Sequence, residues 1–168
     1  MAGIFCYTCS CCGELHEGSP SFSFNAPNPY LEQSEEIKKE GKSGSDLCYY
    51  KDEDGYHYFV RVIVEIPIIG IEDPFMWGVW VSLSEESYEH YVETFDEPDI
   101  DKAYFGWFSN YLPYYDQTYA LATEVIPREN GERPYLNIHE VDHEFYDDFK
   151  NGITIEKAQK IAEICMHG

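Results

Sequence analysis

The stretch Lys51-Asp52-Glu53-Asp54-Gly55-Tyr56-His57-Tyr58-Phe59-Val60-Arg61-Val62-Ile63-Val64-Glu65-Ile66 decides the fold class. Its Asp54-Gly55 pair is a strong hairpin signal. Beyond the turn the chain alternates with period two. Tyr58, Val60, Val62, Val64 and Ile66 face one way, and Phe59, Arg61, Ile63 and Glu65 face the other. Residues 46–51 are the expected partner strand.

Downstream, residues 77–83 read as an aromatic and β-branched strand, and Ser84 caps a helix carrying Tyr88, Tyr91, Val92 and Phe95 at i, i+3, i+4 and i+7. Residues 104–108, 119–126 and 135–139 are further strand candidates. The last two flank a loop bounded by Pro127 and Pro134, with a turn at Asn130-Gly131. Asp142 is the expected cap of a short helix burying Phe145, Tyr146 and Phe149. A closing helix from Thr154 buries Ile155, Ala158, Ile161, Ala162 and Cys165. Upstream, residues 30–42 form a charged helix ended by Gly41 and Gly44. Residues 19–29 stay extended because Pro20, Pro27 and Pro29 oppose pairing. Strands that follow strands, with helices inserted, define an α+β domain. The expectation is one domain over 1–168: a zinc knuckle at 5–18, a largely antiparallel main sheet with an inserted helix at 45–139, and flanking C-terminal helices at 142–167.

Composition sets the classes. Hydrophobic residues make up 43% of the 168, with 15 Tyr and 10 Phe, which is too apolar for a disordered chain. The longest apolar run, 62–71, is broken by Glu65, Pro67 and Gly70, so no membrane span is expected. No basic segment followed by an apolar stretch opens the chain, so it is read as cytoplasmic, with cysteines serving as thiols or metal ligands. Eleven Lys and Arg oppose 32 Asp and Glu, a net charge of −21. Such a field repels nucleic acid and steers a basic protein partner inward; it also keeps a protein soluble. The acids cluster at 32–40, 52–54, 85–101 and 140–148.

Four of six cysteines lie in Cys6-x2-Cys9-x-Cys11-Cys12. A Cys-x2-Cys turn presents two thiolates to a tetrahedral ion such as zinc. Cys6/Cys9 and Cys9/Cys12 both have that spacing, and Gly13 after Cys12 favours the second pair. His16 and the distant Cys48 would complete a closed, structural site. The competing reading is a metal-free cluster or a redox pair. His139-Glu140-Val141-Asp142-His143 matches the zinc-peptidase pattern, in which a helix puts both imidazoles on one face and the Glu acts as base. Here a strand precedes it, and Glu163 is a third ligand on a helix whose buried face omits it, so coincidence is the favoured reading. Arg61 and Glu65 share one strand face as an ion pair or a cleft floor. Trp77, Trp80, Trp107 and Phe108 read as core, whereas Tyr111, Tyr114 and Tyr115 lie in a loop suited to an interaction surface.

The strings Thr8-Cys9-Ser10-Cys11-Cys12-Gly13-Glu14-Leu15-His16, Ser45-Asp46-Leu47-Cys48, Val60-Arg61, Trp77-Gly78-Val79-Trp80 and Tyr104-Phe105-Gly106-Trp107, with Arg133-Pro134, resemble a bacterial domain-of-unknown-function family, number twenty-one ninety-nine. The resemblance implies that Cys9, Cys12 and His16 are its Cys-x2-Cys-Gly-x2-His positions and that Cys48 is its later cysteine. It implies no activity. The functional expectation is a non-enzymatic acidic protein-binding module with a structural Zn2+, of the inhibitor or immunity type, for a basic partner. The alternative is a metal-dependent hydrolase using His139, Glu140 and His143 or a cleft at Arg61 and Glu65.

Overall fold

A computed structural model describes residues 3–167. It is a mixed α/β structure with the elements β1 (Cys6–Thr8), β2 (Leu15–Glu17), β3 (Ser21–Ser23), α1 (Asn28–Leu31), α2 (Glu35–Glu40), β4 (Lys42–Ser43), β5 (Leu47–Asp52), β6 (Gly55–Ile66), β7 (Phe75–Leu83), α3 (Glu85–Glu93), β8 (Tyr104–Phe108), β9 (Ala122–Ile126), β10 (Tyr135–Ile138), α4 (Glu144–Asn151) and α5 (Ile155–His167).

The main sheet corrects the expected flanked antiparallel sheet: β6, β7, β8, β9 and β10 close into a barrel. Four neighbouring pairs are antiparallel. The closing pair is parallel, through Tyr135 opposite Ile63. Parity requires this, because in a meander of five alternating strands the first and last run the same way. Length makes closure feasible, since β6 and β7 are twelve and nine residues long. Each divides its outer edge between two partners. β6 pairs with β5 and then β10, and β7 pairs with β3 and then β8.

Local chemistry explains other departures. Asp52 pairs with Gly55, so Glu53-Asp54 rather than Asp54-Gly55 is the centre of the turn, and the Asp54 N–H donates to the Asp52 carboxylate at 2.9 Å. The expected helix over 30–42 is two short helices, because Ser34 starts a new one by accepting from the Ile37 N–H. Residues 21–23 do pair, in parallel with β7, in the gap between Pro20 and Pro27; the main sheet therefore begins before residue 45. β9 starts at Ala122 rather than 119, after Gln117 and Ala120 take positive φ.

The alternation of β6 is that of a barrel strand. Val60, Val62, Val64 and Ile66 are fully buried inside, with Trp77, Val79, Val81, Tyr104, Phe108, Val125 and Leu136. Tyr88 and Tyr91 of α3, Phe145 of α4, and Ala158, Ile161 and Ala162 of α5 join this core. Val92, Phe95 and Ile155, expected to be buried, are exposed. A second cluster lies on the barrel's outer face, where Cys48, Tyr50, Phe59 and Trp80 are covered by Tyr30 and Ile37 of the short helices. Among the described residues no helix is long and apolar enough to cross a membrane.

Candidate functional site

The cysteine-rich segment forms a hairpin, β1 against β2, with Tyr7 opposite His16 and their rings stacked at 5.2 Å. Cys9 opens its tip. The Cys9 N–H donates to the Glu14 carbonyl and the Gly13 N–H to the Cys9 carbonyl, closing a turn in which Gly13 takes φ +75°. That conformation favours glycine, and it folds Cys12 back toward Cys9.

Three overlapping groups of side chains at this tip have donor atoms within 4.8 Å of one another: Cys9, Cys12 and His167; Cys9, Cys11 and Glu163; and Cys12, Glu14 and His16. Cys12 Sγ lies 3.8 Å from His16 Nε2. Thiolates and imidazoles are the donor types a borderline ion such as Zn2+ takes, so these groups could hold a metal ion. Of the expected ligands, Cys9 and Cys12 share one of these groups and Cys12 and His16 another, and no single group holds all three.

The structure does not bring Cys48 here. That thiol is buried in the outer cluster among Tyr50, Phe59 and Trp80, and burial pushes its pKa up to about 12, which keeps it a neutral thiol and a poor ligand. The N-terminal hairpin is therefore tied to the last helix rather than to β5. Glu163 accepts from the Ser10 N–H at 2.6 Å and from its hydroxyl, and the Gln159 amide donates to the Thr8 carbonyl at 3.2 Å. His167 and Glu163 are the residues missed at this site. Their signal was faint: a histidine in the last turn and a Glu off the buried face of α5.

The peptidase-like segment does not form a helical site. Residues 139–143 are irregular between β10 and α4. His139 lies 4.0 Å from Glu124, while His143 rather than Asp142 caps α4, its Nδ1 accepting from the Phe145 N–H at 3.0 Å. Arg61 and Glu65 form no ion pair: Arg61 donates to the Ser45 carbonyl at 3.2 Å and lies over Trp80, while Glu65 sits by the Tyr135 hydroxyl and opposes its ionisation.

The tyrosine loop also divides. Tyr115 is buried, donating to Asp148 at 2.6 Å, and Tyr114 lies beneath Lys157 and Lys160, so neither is a free anchor. Tyr111 is exposed and stacks on Tyr119 at 5.4 Å. Around them runs an aromatic surface in which Phe105, Trp107, Tyr111 and Tyr119 are 47, 48, 51 and 42% exposed. Phe105 and Trp107 are the outward residues of β8, in edge contact at 4.9 Å, and Trp107 was expected in the core. Trp107 and Tyr119 also wall a groove of about 410 Å3 floored by Tyr50, His57 and Phe59. Carboxylates lie near its lining residues: Asp52 holds His57 at 3.0 Å and, after burial, opposes ionisation of Tyr50, Glu32 adds to burial and Tyr111 in opposing that of Tyr119, and Glu124 lies opposite the neighbouring Phe105.

Barrel, cysteine tip and aromatic groove define a small barrel protein with a candidate metal cluster and an open aromatic groove that has carboxylates nearby. The chain belongs to the bacterial family described as "Uncharacterized protein conserved in bacteria (DUF2199)", which matches residues 8–153 and so takes in Cys9, Cys12, His16 and every barrel strand. No curated protein and no solved structure matches the chain.

Proposed function

We propose that this protein is a non-enzymatic, acidic protein-binding module of the inhibitor or immunity type, and that its groove receives a Lys- or Arg-rich segment of a basic partner. The observation that carries this reading is the exposed pairs Phe105–Trp107 and Tyr111–Tyr119, joined at the groove by Trp107 and Tyr119, with Asp52, Glu32 and Glu124 nearby. Half-exposed aromatics gathered on one face are what interfaces use as anchors. An aromatic face attracts a cationic side chain, and Asp52, Glu32 and Glu124 add charge complementarity. The net charge of −21 would bring such a partner in quickly. In this reading the ion at the cysteine tip is zinc, in a structural role, joining the N-terminal hairpin to α5.

Calorimetric titration with a Lys/Arg-rich peptide tests the reading. Affinity should fall as NaCl rises from about 50 to about 500 mM, because the Debye length shrinks across that range. Trp107→Ala and Tyr119→Ala should each weaken binding about tenfold or more. Equal binding of an acidic peptide, or wild-type affinity in both variants, would contradict it.

A further inference from the structure

Arg61, Arg128 and Arg133 are the only arginines of this very acidic chain, and the fold brings Arg61 and Arg133 to one cavity. Arg61 is an outward residue of β6, and Arg133 arrives beside it just ahead of the parallel closure between β10 and β6. Both line a cavity of about 200 Å3 on the outer barrel wall, with Ser21 and Ser23 from β3, Ile63 and Gly78 on its floor, and Met76 at one side. Gly78 is required there, since a Cβ would stand 2.8 Å from that of Ser23 and push β3 away.

The charges in this cavity are not balanced. Arg133 Nε donates to Asp46 at 2.9 Å, leaving its two terminal nitrogens. Arg61 spends one nitrogen on the Ser45 carbonyl, and its Nε is buried with no hydrogen-bond partner among the described residues. A buried unpaired donor on a cation is costly, and two neighbouring guanidiniums share a single carboxylate. Burial and the proximity of Arg133 both depress the Arg61 pKa. Arg128 stands apart, engaged by Glu132 at 3.2 Å and lying over the Tyr135 ring at 3.8 Å.

We propose that this cavity is an anion site for a tetrahedral oxyanion, inorganic phosphate or the phosphate group of a small monoester. The donors decide the class: two guanidiniums supply planar forks and Ser21 and Ser23 supply hydroxyls, more donors than the two oxygens of a carboxylate can use. The volume limits the ligand to a small one. The acidic surface does not forbid it. At physiological salt charges beyond about 8 Å are largely screened, so a small anion meets Arg61, Arg133 and Asp46, whereas a polyanion lying across the surface meets the whole field.

The test is calorimetry on the full chain with inorganic phosphate, with phosphoserine as the monoester and acetate as the carboxylate. Saturable binding of phosphate or phosphoserine, at least tenfold tighter than acetate, is expected, and the tighter of the two identifies the source. Arg133→Gln and Arg61→Lys should each weaken binding about tenfold, the second because a lysine keeps charge but loses the fork. Arg128→Gln should bind as wild type, and thermal melts of all variants report folding. Absence of saturable phosphate binding, acetate binding as tightly, or binding undiminished in folded Arg133→Gln would overturn the proposal.

Discussion

Cys9 and Cys48 show how two residues of one type take opposite roles by placement. Cys9 is packed under the hairpin tip with Cys12 and His167 around its sulfur, while Cys48 sits among aromatic rings on the far face of the barrel wall. Cys9→Ser should therefore remove bound metal, and Cys48→Ser should leave metal content unchanged while lowering stability; elemental analysis beside thermal melts separates the two. The sequence reading, with the family resemblance, has Cys48 completing the site, yet β5 places its side chain in the outer aromatic cluster. Tyr115 makes a second case at this scale. Its hydroxyl donates to the buried Asp148, and burial together with that carboxylate raises its pKa. Tyr115→Phe leaves Asp148 short of a donor and should cost about 2 kcal/mol in chemical denaturation.

Between elements, the last two helices are joined by charge. Lys157 of α5 reaches Glu144 at 2.7 Å and Asp148 at 2.6 Å, both on α4. The Lys157 hydrogen bond lowers the Glu144 pKa below its ordinary 4.5. A depressed carboxyl pKa contributes stability that is present above the unfolded value and lost as pH falls through the folded one. The melting temperature should thus drop as pH falls below 4.5, and Lys157→Met, already lacking the partner, should show a shallower drop across the same window. Much at this scale was legible. The period-two run of β6, the Ser84 and Thr154 caps and the strand at 104–108 all follow from local chemistry, with Ser84 accepting from Ser87 and Thr154 from Lys157. Illegible were β3, a three-residue strand in the six-residue gap between Pro20 and Pro27, and the split of the 30–42 segment at Ser34, where a cap inside a charged run looks like any other serine.

For the whole molecule, barrel closure rests on one parallel pairing of Tyr135 with Ile63, between residues far apart in sequence, and no periodicity announces it. Closure shapes the proposed docking face. It turns Phe105 and Trp107 outward on β8, where sequence reasoning counted Trp107 as core, and it sets them beside the groove formed over Tyr50 and Phe59. Trp77 and Trp80 are buried at 1% and 0% exposure, so Trp107 alone among the tryptophans meets solvent, inside the proposed docking face. Its fluorescence is the most direct reporter of the central claim. Titrating the protein with a Lys/Arg-rich peptide at low salt should change that emission saturably, with the response reduced by added NaCl or by Tyr119→Ala. An unchanged emission from Trp107 while calorimetry registers binding of the same peptide would place the partner elsewhere and contradict the account.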